Sequence, residues 1–162
     1  MRRYSPAWWA FAGGRVLLGL VFVYAAYTKL RTSFLLFAMA IDAYKLLPEA
    51  GAVAVARVLP WTELALGIAL IAGLWPRLVT SAATGLLAVF FAVMVRAFRQ
   101  GQEISCGCFG MGEPISGRTL MRDGALLALS LALTAAAYYA ARRPRAAEAS
   151  VPRPGNALPE KS

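Results

Sequence analysis

The amino-acid sequence predicts an all-α integral membrane protein. The expected form is a bundle of four transmembrane helices, with a short interfacial helix after the first span and a disordered C-terminal tail. Three observations point to it. Hydrophobic residues make up 59% of the chain and charged residues only 15%, against about 45–50% and about 25% in an ordinary soluble domain. The apolar residues gather into four runs, each close to the ~20 residues that a helix needs to cross ~30 Å of hydrocarbon. Within a bilayer the backbone must satisfy its own hydrogen bonds, so runs of this kind are read as helices rather than open strands.

The first span is expected over about 8–30, densest over Val16–Tyr27. Arg2 and Arg3 give it a basic start, but its apolar part is long. No small-x-small cleavage site precedes Lys29, so it reads as a retained span rather than a signal peptide. Arg15 within it is expected to snorkel or to face the bundle. Ser33–Leu47 follows as a short helix, lying in the interface or packed on the bundle. Ser33 can cap it and Pro48 would end it, with Asp42 and Lys45 on one face. The second and third spans, about 53–75 and 78–98, are parted only by Pro76-Arg77 and form a tight hairpin. Gly101 suits the stop of the third. A glycine-rich loop occupies 100–117, Ser116 can cap the next helix, and the fourth span covers about 119–141. Residues 1–141 thus form one membrane domain. The basic, proline-containing stretch 142–162 is expected to be a disordered tail. Small residues recur every four positions at Ala65, Ala69 and Gly73, and again from Gly124 through Ala128, Ala132 and Ala136 to Ala140. Such stripes are expected to pack helices closely.

The net charge is +9, but the basic residues edge the apolar runs and fill the tail. That pattern suits the headgroups of a lipid bilayer and not nucleic acid. The chain has no histidine, which excludes His-based triads, His-ligated haem and ordinary His-containing zinc sites. Two cysteines are too few for a Cys₄ zinc site or an iron–sulfur cluster. No cofactor or metal is expected. Four spans place both termini on one side. The compact Arg142, Arg143 and Arg145 cluster favours the cytoplasm for them, which leaves the 100–117 loop outside it.

That loop holds Cys106-Gly107-Cys108. A disulfide wants Cα atoms about 4.4–6.8 Å apart, and cysteines two apart reach this only through a bent backbone, which Gly107 permits. The closed ring would be small and strained, and strained, exposed disulfides exchange readily. A structural staple gains more by closing a long loop. Arg118 and Arg122 at the start of the fourth helix, together with its positive dipole end, would stabilise a thiolate. Cys106 and Cys108 are therefore read as a redox pair. An inert disulfide, a Cu(I) site of two thiolates and two incidental thiols are the competing readings. Glu63, behind Pro60-Trp61-Thr62 in the second span, is the other candidate. It is expected to lie nearer the membrane surface than the centre. It is either a proton carrier or half of a structural ion pair with Arg15, Lys29, Arg57 or Arg96.

Several segments together carry a resemblance. They are Arg15 to Tyr24 with Lys29 after it, Ala43-Tyr44-Lys45-Leu46-Leu47-Pro48, Leu59-Pro60-Trp61-Thr62-Glu63-Leu64 with Gly67, and Cys106-Gly107-Cys108-Phe109-Gly110 with Ile115-Ser116 and Arg122-Asp123. In this order the chain resembles the MauE family of methylamine-utilisation membrane proteins, within the wider DoxX-like group. The resemblance implies a multi-pass, redox-associated protein of the bacterial inner membrane. It also implies a thioredoxin-like partner and a disulfide-containing client, in methylamine dehydrogenase maturation or a related process. The functional expectation is a thiol–disulfide relay. Its rival is a non-enzymatic membrane scaffold for a partner's biogenesis. A small-solute transporter ranks below both, because no inverted repeat or broken helix is visible.

Overall fold

A computed structural model describes residues 6–101 and 116–149. Five helices make up the described residues: α1 (Pro6–Arg31), α2 (Phe34–Asp42), α3 (Glu49–Ala72), α4 (Pro76–Arg99) and α5 (Gly117–Ala149). Four of them are long and apolar enough to cross a membrane. The fold is the all-α membrane bundle that composition and the apolar runs predict.

Residue chemistry sets the helix ends. Gly73 follows α3 in the left-handed region (φ 75°), donating its N–H to the Ala69 carbonyl, and Pro76 opens α4 where its missing N–H costs nothing. The α3–α4 hairpin is therefore as tight as expected. Gly101 stops α4 with φ 65°. Ser116 accepts the Thr119 N–H on its Oγ at 3.3 Å, capping α5. Two ends differ from expectation. α2 stops at Asp42, short of Pro48, and Ser33 occupies its N-cap position without a side-chain cap bond. α5 continues past Ala141 to Ala149, so 142–149 is helical where a disordered tail is expected. Its alanines and arginines favour helix, and it continues an existing helix without a new nucleation step, against the cost of Pro144 inside it. Residues 150–162 lie outside the described residues.

Packing divides the bundle into two tight pairs. In the first, α1 crosses α3 where Gly19 meets Gly67. A Cβ on Gly19 would stand 2.8 Å from the Gly67 carbonyl oxygen, and one on Gly67 would stand 2.9 Å from that of Gly19. Backbone touches backbone, as small residues allow in membranes. In the second pair, Thr84 of α4 reaches Ser130 Oγ at 3.1 Å and Thr134 Oγ1 at 3.0 Å on α5. Leu18, Phe22, Leu70, Val79, Ala83 and Leu133 form the core between the pairs. The helices of the first pair are staggered. Counted from the glycine crossing, α3 begins six residues beyond the end of α1, a projection of about 9 Å. α2 fills the space beside that projection, burying Phe37 and Ala38 against Ala56 and Leu59.

The small-residue stripes do not serve the bundle in the expected way. Ala128, Ala132, Ala136 and Ala140 of α5 are exposed, and on that stripe only Gly124 faces a neighbour closely, with Phe91 3.4 Å from a Cβ placed there. On the other stripe, Ala65 is exposed and Ala69 half-buried. A period of four identifies small residues but not the face they occupy, and the helices meet at Gly19 and Gly67 instead.

Arg15 resolves in favour of the bundle. Its guanidinium covers Gly73 so closely that a Cβ there would lie 2.4 Å from Nη1. A cation is thereby placed at the negative end of the α3 dipole.

Candidate functional site

Glu63 lies near the middle of the 24-residue helix α3, one turn from the glycine crossing. It is 4% exposed. Pro60, buried one turn earlier, removes a backbone donor. Thr62 Oγ1 donates to the Leu59 carbonyl in the same turn at 2.8 Å, the kind of side-chain bond that lets membrane helices tolerate proline. Of the four cations considered for Glu63, Lys29 is the partner. Its Nζ donates to Oε1 and Oε2, both at 2.8 Å. Lys29 is itself 4% exposed, and its ammonium stands 5.8 Å from the centre of the Phe90 ring. Arg57 lies elsewhere, over the ring of Phe34.

A second carboxylate shares this interior. Asp123 of α5 is buried and accepts from Arg122 Nε at 3.2 Å. Glu63 and Asp123 both line a cavity of about 40 Å³, walled by Phe22, Phe90, Phe91 and Leu126. By size alone about 40 Å³ is room for about three waters, since one needs roughly 10–15 Å³ of such space. The cavity sits between the two tight pairs, with α1 and α3 on one side and α4 and α5 on the other. Sequence reasoning missed Asp123. The signal was present: an acidic residue five positions into the expected fourth span, which deserves the same functional presumption as Glu63.

The remaining candidates stand apart from this pair. Arg118, in the first turn of α5, is exposed, while Arg122, one turn on, is half-buried against Asp123. Both belong to the end of the bundle where α4 stops and α5 starts. Cys106 and Cys108 lie in the connection between those helices, outside the described residues.

Comparison with known proteins identifies the lineage. The family model described as "Methylamine utilisation protein MauE" matches residues 7–137. The chain belongs to the MauE family. It is 34% identical over 122 residues to the methylamine utilization protein MauE of Paracoccus denitrificans, covering 74% of this chain and 65% of that protein. It is 38% identical over 133 residues to the protein of the same name from Paracoccus versutus, covering 80% and 70%. The chain thus spans about two thirds of the length of these MauE relatives. No solved structure gives a significant match. The match to the MauE model takes in the first three spans, the cysteine loop and most of the fourth span, and it ends before the helical extension of α5.

Proposed function

We propose that this MauE-family chain passes thiol–disulfide equivalents across its cysteine loop, outside the cytoplasm of a bacterial inner membrane. In each exchange a thiolate of a thioredoxin-like partner attacks the Cys106–Cys108 bond. A mixed disulfide forms, and the partner's second thiol resolves it. The loop leaves with two thiols and the partner with a disulfide; the reverse reaction carries the electron pair the other way. Methylamine dehydrogenase maturation, or a related process, is the setting that the relatives' names support. The observation that carries the reading is the Cys106-Gly107-Cys108 spacing, in the stretch of sequence that joins α4 to α5 and is flanked by Arg99, Arg118 and Arg122. Glu63 and Lys29, buried as a pair, tie α1 to α3, and Glu63 is the candidate proton carrier.

The test is thiol trapping in intact cells with a membrane-impermeant reagent, combined with Cys106→Ser and Cys108→Ser. Labelling of both cysteines after mild reduction is expected, with loss of the client's disulfides in either variant. Cysteines that label only after cell lysis, or a client that oxidises normally in both variants, would remove the relay.

One observation favours the scaffold reading. The stripe from Ala128 to Ala140 is exposed on α5, where a partner's membrane helix could approach closely. A scaffold predicts that both serine variants retain function.

A further inference from the structure

The gap between α3 and α4 holds a groove of about 230 Å³, roofed by α2. Phe37 and Ile41 line it from α2, Leu59 from α3, and Val89 and Val93 from α4. Tyr44 supplies its one polar side chain. The groove's origin is the stagger of α1 and α3. α2 replaces α1 along the first turns of α3, and it bridges toward α4 without filling the space below. A gap of this size beside lipid does not stay empty, because its walls would lose their dispersion contacts. The wall residues present no hydrogen-bonding pattern that would select a polar solute.

Charge at the mouth narrows the occupant. On α4 the groove is lined by Leu86, Val89, Phe90, Val93 and Met94, and Arg96, one turn beyond Val93, stands at the edge of that face. Arg96 is exposed at the end of α4, followed by Arg99. Lys45 borders the groove between the lining residues Tyr44 and Leu46, where its ammonium is paired with Asp42. Glu49 is a further acidic residue at this end. Arg96 is therefore the exposed cation at the edge of the groove's α4 wall, and a guanidinium recognises phosphate through two parallel N–H bonds.

We infer that the α2–α3–α4 groove binds one acyl chain of an anionic phospholipid, with its phosphate held by Arg96. The inference rests on the groove and on Arg96 and does not depend on the relay. Phe90 and Leu86 divide the groove from the cavity of Glu63 and Asp123, lining both.

Native mass spectrometry of the full chain, titrated with phosphatidylglycerol or phosphatidylcholine of matched chains, tests the inference. One phosphatidylglycerol should remain bound, with a preference of about fivefold over phosphatidylcholine, the effect of one basic residue near a phosphate surface. Arg96→Gln should remove the preference and keep the lipid. Val89→Trp should fill the groove and lose both lipids, and Val93→Phe carries the same expectation if the tryptophan variant does not fold. Equal retention of the two lipids by the unaltered chain would overturn the inference. So would undiminished binding in folded groove-filling variants, or an isoprenoid quinone bound instead of phospholipid. Cysteine trapping reads out separately, so a failed relay leaves this result intact and a failed lipid site leaves the relay intact.

Discussion

Lys29 and Glu63 form a buried pair in which one ammonium serves both carboxylate oxygens. Two ions removed from water lose much of their hydration, and the attraction between them offsets that loss only while both are present. Glu63→Leu strands the ammonium of Lys29 and should destabilise the folded chain by about 3–5 kcal/mol. The double change Lys29→Met with Glu63→Leu should recover most of it. Unfolding in mixed micelles with a graded denaturing detergent measures both, and equal losses in the single and double variants would show that the pair contributes nothing as a pair. The same residues show what a sequence discloses at this scale. An acidic residue amid apolar neighbours is conspicuous, so Glu63 stood out. Its partner was one of four candidates, because pairing depends on the rotation and stagger of two helices that no local pattern encodes. Asp123 was passed over because it sits close to a helix start and next to an arginine, where a charge looks ordinary.

Among the elements, the α1–α3 contact is the most sensitive. A methyl group at position 67 would meet Val23 Cγ2 at 2.8 Å and the Gly19 carbonyl oxygen at 2.9 Å. The second obstacle is backbone, so the helices must part. Gly67→Ala is expected to cost about 1–3 kcal/mol, as overpacking does. Gly85→Ala is the control, since nothing lies within 4 Å of a Cβ there, and it should be neutral or stabilising through helix propensity. Comparing the two in the same unfolding assay separates close packing from propensity, and a Gly67→Ala variant as stable as Gly85→Ala would disprove the contact. Helix number, order and hairpin turns were legible from apolar length and from Gly73, Pro76, Gly101 and Ser116, because those signals are local. The contact face was not. The alanine stripe of α5 advertises close packing by its spacing, yet Gly19 and Gly67, which carry no repeat, make the contact. Only the register between two helices decides which small residues meet.

For the whole molecule, the pairing pattern matters more than the count of spans. The cysteine loop joins α4 to α5 within the second pair, so its chemistry depends first on that pair's geometry. The sequence sets the two cysteines between spans, but they lie outside the described residues and no motif specifies what surrounds them. The division into pairs has a practical consequence. The hairpin at Gly73, Leu74 and Trp75 is the single covalent tie between a unit made of α1, α2 and α3 and a unit made of α4 and α5. Each unit closes its own tightest interface, so each should insert without the other. Two polypeptides, one ending after Gly73 and one starting at a methionine placed before Leu74, should therefore find each other when made in one cell. An affinity tag on either would then bring down both. Recovery of the tagged fragment alone would mean that the seam between them is too weak to hold without the covalent link.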